Sequence, residues 1–213
     1  MNDERKTADE SVKSNVMKTY PIGTVRRLLA TDAVTAQTRE ALEKRLRGMS
    51  EYQPVFFEQT AYETLCAVCA RLIPQDAVNC AAFIDESLSE NKGDGWRYDA
   101  LPADAETFRG GLNGINETAQ SKFDANFRHL NASRQDEILT EIQDGKAAGA
   151  VWKTLSAELF FEELLAKTVE VYYAHPLAQE EIGYVGMADA PGWTRIKLNE
   201  LEPREPRVLG EKD

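Results

Sequence analysis

The spacing of apolar residues between Asp104 and Leu130 constrains the fold more than any other feature of the chain. These residues recur every three or four positions, which places them on one face of a helix. They are Phe108, Leu112, Ile115, Ala119, Phe123, Phe127 and Leu130. The sequence therefore predicts one helix over 104–130, with a length of about 40 Å.

The same period recurs in shorter segments along the chain. It predicts further helices over residues 35–48, 58–73, 76–88, 133–144 and 151–173. Thr35 and Asp76 are the expected N-caps of two of them, Ser133 begins a capping-box-like start, and Pro74 ends the 58–73 helix. No segment alternates with the period of two that is typical of strands. The predicted fold is all-α, an irregular multi-helix bundle.

Three glycines interrupt the longest predicted helix, at Gly110, Gly111 and Gly114. Each costs a helix about 1 kcal/mol relative to alanine. We therefore expect these positions to permit the close approach of another backbone.

Composition divides the chain into four predicted segments. Residues 1–19 are polar and are expected to form a mobile tail, because they offer too little apolar surface to offset the entropy of ordering. Residues 20–54 form a helical arm, 55–195 the main helical domain, and 196–213 an extended C-terminal tail. Residues 175–193 within the main domain are expected to be an ordered irregular loop.

Charge and hydropathy exclude several kinds of partner. The chain has 25 Lys and Arg residues against 36 Asp and Glu residues, a net charge of -11. Such a chain repels nucleic acid phosphates and anionic lipid surfaces. It has no apolar run that could cross a bilayer and no apolar segment of the secretory type after Arg26 and Arg27. We expect no nucleic acid partner, no membrane insertion and no export by the chain itself.

The three cysteines are Cys66, Cys69 and Cys80. Cys66 and Cys69 have the CxxC spacing of redox and zinc sites, but they lie within a helical apolar pattern and no second ligand pair accompanies them. We expect both to be reduced, buried helix residues.

No recognisable catalytic, cofactor-binding or metal-binding motif is present. The chain lacks the glycine turn of dinucleotide sites and the motifs of nucleophilic and zinc hydrolases. The adjacent acids Glu162, Glu163, Glu180 and Glu181 are expected to be solvated helix surface, since adjacent helix positions do not face one another. His175, next to Pro176, is interpreted as the C-terminal cap of a helix.

The 175–193 loop is the segment best suited to recognition. It combines glycines, prolines and large aromatic side chains on irregular backbone. The expected partner-contact residues are His175, Pro176, Tyr184, Gly186 and Trp193.

Several segments together resemble the gluconate 2-dehydrogenase subunit 3 family, the small or gamma subunits of flavin-dependent sugar and sugar-acid dehydrogenases. The resemblance covers about residues 55–195. The matching segments are 65–74, 81–85, 172–176, 182–186 and 191–193.

The resemblance implies a non-catalytic helical subunit without a prosthetic group. It would bind and stabilise a large flavoprotein of the glucose-methanol-choline class, which holds FAD and oxidises the sugar. An electron-transfer protein such as a cytochrome could complete the complex.

Many relatives carry a twin-arginine signal. The different N-terminus here favours a cytoplasmic dehydrogenase such as a glucoside 3-dehydrogenase, the alternative being a periplasmic complex exported with a signal-bearing partner.

Two other functions stay open at this point. One is an assembly or export adaptor that helps a flavoprotein without staying bound. The other is an independent small helical enzyme, for which His175, Tyr184 and the acidic residues would be the candidates.

Overall fold

The computed structural model describes residues 24–47, 52–74, 77–91 and 98–184, together with Lys197, Leu198 and Glu200. This part of the chain contains eight α-helices, two short 3-10 turns and no strand. The all-α prediction is confirmed. The chain divides into two compact units, which we call the terminal unit (residues 1–48 and 173–213) and the central unit (residues 49–172).

The terminal unit brings together segments from both ends of the chain. Its described helices are α1 (Thr24–Leu29), α2 (Ala36–Leu46) and α8 (Pro176–Glu181), and α8 contacts both of the others. Its apolar cluster consists of Val25, Leu28, Leu29, Val34 and Leu42. The predicted mobile tail, residues 1–19, lies outside the described residues, and the four segment boundaries stay predictions.

The central unit contains α3 (Gln59–Leu72), α4 (Cys80–Ser89), α5 (Asp104–Phe123), α6 (Ala132–Gln143) and all but the last residue of α7 (Ala157–Tyr173). The 3-10 turns cover Phe127–His129 and Val151–Lys153. Helix α5 contacts α3, α6 and both turns. The fully buried side chains of this unit include Leu65, Val68, Ile84, Phe108, Leu112, Ile115, Phe127, Ile138, Ile142, Phe160 and Leu164.

The helix predicted over 104–130 is shorter than its apolar pattern. Helix α5 ends at Phe123, where Asp124 adopts a left-handed backbone with φ of 52°. The amide of Gln120 donates to the Asp124 carboxylate at 2.6 Å. Phe127 and Leu130 are nevertheless buried, because the 3-10 turn after the break directs them into the core. The pattern identified Phe127 and Leu130 as core residues correctly, but Phe123 is only half-buried. It did not identify the helix end.

Helix starts also differ from those predicted. The helix expected from residue 151 begins at Ala157, and the Ser156 hydroxyl accepts the N–H of Leu159 at 3.3 Å. The cap of α6 is Asn131, whose side chain accepts the N–H of Arg134, rather than Ser133.

Two predicted N-caps lead to different outcomes. The helix predicted from residue 76 begins at Cys80 as α4, and its N-cap is Asn79, whose side chain accepts the N–H of Ala82 at 3.0 Å. Asp76, the predicted cap, lies outside the described residues. The prediction of Thr35 as the cap of α2 is confirmed, because its side chain accepts the N–H of Thr38. That helix ends at Leu46, and Gly48 is outside the described residues.

The glycines of α5 leave space for aromatic rings rather than for a second backbone. A Cβ atom on Gly111 would lie 2.0 Å from the Phe160 ring, and one on Gly114 would lie 2.5 Å from the Trp152 ring. At Gly110 the nearest atom would be a methyl of Leu155 at 3.5 Å, an ordinary contact. The expected backbone approach was wrong: two of the glycines seat large side chains of the 151–173 region against α5.

Candidate functional site

The Asp85 side chain accepts hydrogen bonds from four residues of the central unit. Its carboxylate is fully buried on α4 and accepts the phenol of Tyr52 at 2.6 Å. It also accepts three backbone N–H groups, from Val55 at 2.8 Å, Phe56 at 3.1 Å and Phe57 at 2.8 Å. Hydrogen bonds to an ionised acceptor are among the strongest in proteins. Asp85 therefore fixes the segment that leads into α3.

This arrangement leaves Asp85 unsuited to proton transfer. Four donors already occupy its two oxygens, so no lone pair is directed at an open site. Burial and the hydrogen bond to Asp85 also raise the pKa of Tyr52 well above its ordinary value of 10. The phenol stays protonated at neutral pH and acts as a structural donor.

An arginine covers the segment that Asp85 fixes. The Arg109 guanidinium on α5 lies 3.9 Å from the centre of the Phe56 ring. Phe56 in turn meets Phe57 edge to face, with ring centres 4.7 Å apart. The 52–57 segment is thus held by a carboxylate on one helix and a cation on another.

The three cysteines line one small cavity between α3 and α4. The cavity has a volume of about 90 Å³, and its remaining lining residues are Ala70, Val78, Asn79 and Ala81. All three thiols are free. Burial raises the pKa of Cys66 and Cys69, and that of Cys80 to about 11. A thiol with a raised pKa is a poor nucleophile at neutral pH.

The expectation that both CxxC thiols are buried holds for only one of them. Cys69 is buried, whereas Cys66 is half-buried, because it lies at the edge of the apolar face of α3. Within the described residues, no group of three or more His, Cys, Asp or Glu side chains is arranged to hold a metal ion.

The acidic pairs fall in different environments. Glu162 is exposed on α7 and accepts the phenol of Tyr98 at 2.5 Å. Glu180 is buried on α8, and its two carboxylate oxygens bind the Arg26 guanidinium at 3.0 Å each. The expectation of solvated surface was therefore wrong for Glu180. A charged Glu180 side chain can be buried because the Arg26 guanidinium pairs with it.

His175 begins a helix rather than ending one. It is the N-cap of α8: its Nδ1 accepts the N–H of Leu177 at 3.2 Å, and Pro176 occupies the first helical turn. Its Nε2 lies 3.1 Å from the carbonyl oxygen of Arg45, an atom that can only accept. The hydrogen bonds therefore assign the neutral tautomer with the proton on Nε2. Burial lowers the pKa of His175, which favours this neutral form.

The structure also corrects the loop expected over 175–193, because residues Pro176–Glu181 form α8. Of the expected partner-contact residues, His175 and Pro176 are buried and Tyr184 is 41% exposed. Gly186 and Trp193 lie outside the described residues. Their contact with a partner stays a prediction.

No role was predicted for Asp85 beyond its place in the helical pattern and in the 81–85 segment of the family resemblance, although a signal was available. Asp85 occupies the buried stripe of α4 together with Ala81, Ala82 and Ile84. An aspartate at a core position of a helix requires hydrogen-bond donors, because a buried carboxylate without them is costly.

The sequence matches a known protein family. Residues 59–192 match the gluconate 2-dehydrogenase subunit 3 family, and this match spans well over half of the chain. The chain belongs to that family. The match begins at the first residue of α3 and includes both Asp85 and His175. The searches of curated proteins and of solved structures returned no match.

Membership in the gluconate 2-dehydrogenase subunit 3 family identifies the chain as a small subunit of a multi-subunit dehydrogenase. A subunit of this kind has at least one partner subunit. No helix among the described residues combines the length and apolar content needed to cross a membrane.

Proposed function

We propose that this chain is a non-catalytic small subunit that binds and stabilises a large FAD-containing sugar or sugar-acid dehydrogenase of the glucose-methanol-choline class. The flavin and the sugar site belong to the large subunit, and this chain holds no cofactor of its own. A glucoside 3-dehydrogenase is the specific activity we favour. An electron-transfer protein would accept the electrons from the flavin.

One observation carries the non-catalytic assignment. Among the Asp, Glu, His, Lys and Arg side chains of the described residues, three are buried: Asp85, His175 and Glu180. Asp85 accepts backbone N–H groups, His175 binds a backbone carbonyl, and Glu180 pairs with Arg26. Each of these contacts lies within one unit. General acid–base catalysis requires a group within hydrogen-bond reach of the substrate. These three groups support folding instead.

We further propose that the complex is cytoplasmic, with a periplasmic complex as the alternative. The Arg26–Arg27 pair lies within helix α1, where Val25, Leu28 and Leu29 are buried. Arg26 binds Glu180 through its guanidinium and also through its backbone N–H, at 2.9 Å. This structural use of Arg26 supports the proposal. Fractionation of cells that express a tagged chain tests it: recovery with periplasmic markers would contradict it.

Purification of a tagged full chain with and without its large subunit tests the main proposal. We expect the chain alone to be colourless and inactive, and the complex to carry flavin and to oxidise the sugar with an artificial electron acceptor. Turnover by the isolated chain would support an independent enzyme. A flavoprotein that is active, soluble and free of this chain after assembly would support an adaptor.

A further inference from the structure

Helix α7 carries apolar residues on its exposed side as well as on its buried side. Its buried side already consists of Ala157, Phe160, Phe161, Leu164, Thr168 and Tyr172. Leu165 and Val169 are each 37% exposed nonetheless. They are four residues apart, so they lie on the same face of the helix.

A further exposed apolar residue lies on this face, between Leu165 and Val169. Ala166, three residues before Val169, is also exposed. We call Leu165, Ala166 and Val169, all in the central unit, the α7 stripe. Single exposed apolar residues are common on protein surfaces, but aligned ones at helical spacing are typical of interaction faces.

The charged side chains that α7 itself carries are mostly acidic. Glu158, Glu162 and Glu170 are exposed on the same helix. The lysine beside the stripe, Lys167, is itself held by Glu170 at 2.9 Å. A surface that covers the stripe would therefore meet an apolar centre with an acidic rim.

We infer that the α7 stripe is a docking face for the large catalytic subunit, which would present an apolar surface flanked by lysine or arginine. This inference rests on the proposed function, since it assigns the partner to the same complex. Charge complementarity selects the partner: apolar contact supplies affinity, and opposite charges at the rim favour the correct encounter. From Glu158 to Val169 the face extends about 17 Å along the helix, enough to form part of a subunit interface.

The test uses the tagged full chain co-expressed with the flavoprotein that co-purifies with the wild type. Replacing both apolar residues, as Leu165→Glu with Val169→Glu, should weaken the complex by about tenfold or more, because two charges would be buried against an apolar surface. The matched control is Ser121→Glu with Gln143→Glu, on two exposed helix residues of the same unit. It should leave the complex unchanged.

A charge variant tests the rim separately. Glu158→Lys should slow association, and the wild-type complex should assemble faster at low salt than at high salt. Circular dichroism and thermal unfolding of each isolated variant show whether it folds. If the double glutamate variant does not fold, Leu165→Gln with Val169→Thr replaces it, with the same weakening expected to a smaller degree.

The outcomes separate the docking face from the proposed function. Failure of any flavoprotein to co-purify with the wild type would overturn the proposed function. Equal co-purification with the wild type and the folded double variant would overturn only the docking inference. Equal weakening by the control pair Ser121→Glu and Gln143→Glu would also overturn it. So would loss of self-association by the double variant with flavoprotein binding intact, because the stripe would then join two copies of this chain.

Discussion

Arg26 and Glu180 are 154 positions apart in the sequence, yet they form a two-point ion pair. The backbone N–H of Arg26 also donates to the same carboxylate. This contact connects α1, the first described helix, to α8, the last one.

Removal of the carboxylate at Glu180 should destabilise the terminal unit. Glu180→Ala leaves the Arg26 backbone N–H and guanidinium without their acceptor, and we expect a loss of about 1 to 3 kcal/mol. The lower part of that range reflects the Arg26 side chain, which is 48% exposed and can be rehydrated. Denaturant unfolding measures the change. The control is Glu40→Ala, at an exposed position of α2 in the same unit, and an equal effect of both variants would contradict the role assigned to the pair.

The Asp85 hydrogen bonds should contribute more, because the carboxylate is fully buried. Asp85→Asn replaces one accepting oxygen by an NH₂ donor that faces backbone N–H groups. We expect a loss of about 3 kcal/mol or more in the free energy of unfolding. Asp99→Asn, at an exposed position, is the control.

The phenol that binds Asp85 can be removed alone. Tyr52→Phe deletes one of the four donors and keeps the ring, so the expected loss is about 1 to 2 kcal/mol. In the doubly substituted chain the two losses should not add, since both act on the same carboxylate. Strict additivity in denaturant unfolding would show that the hydrogen bond contributes little.

Two adjacent glycines of α5 should respond to alanine in opposite directions. Gly111→Ala places a methyl group 2.0 Å from the Phe160 ring, and such overpacking costs about 1 to 3 kcal/mol. Gly110→Ala makes only an ordinary contact with Leu155 at 3.5 Å. It should stabilise the chain by up to about 1 kcal/mol, because alanine favours the helix.

Thermal unfolding of the two variants is sufficient to check this. The second substitution Phe160→Leu should recover part of the stability lost in Gly111→Ala, since the smaller side chain can move away from the new methyl. Equal melting temperatures for the two glycine variants would contradict this prediction. They would show that the packing of the Phe160 ring does not require a glycine at residue 111.

Sequence periodicity was sufficient for the fold class and for much of the core, because burial follows the spacing of apolar residues even where the backbone changes. Phe127 is an example: it continues the α5 pattern but lies on a 3-10 turn. Helix ends were harder, since the left-handed backbone of Asp124 and the cap at Ser156 depend on local hydrogen bonds that periodicity does not encode.

The features of the candidate site depend on long-range contacts and were missed for that reason. Glu180 has the local sequence of a surface acid, and only the approach of Arg26 permits its burial. The roles of Phe160 and Trp152 opposite the α5 glycines were likewise not contained in any single segment.

His175 should make stability depend on pH. In the folded chain its Nδ1 must be unprotonated to accept the Leu177 N–H, and burial lowers its pKa below the ordinary value of 6.5. The unfolded chain therefore binds a proton at a higher pH than the folded chain does. The contribution of His175 to stability is present above about pH 6.5 and is lost as the pH falls through the lower folded pKa.

His175→Asn is the matched variant, because asparagine caps a helix N-terminus without titrating in this range. We expect the wild type to lose more unfolding free energy than His175→Asn between pH 7.5 and pH 5, as measured by denaturant unfolding at each pH. Parallel losses in the two proteins would show that His175 titrates alike in the folded and unfolded chains, and the neutral N-cap would then be wrong.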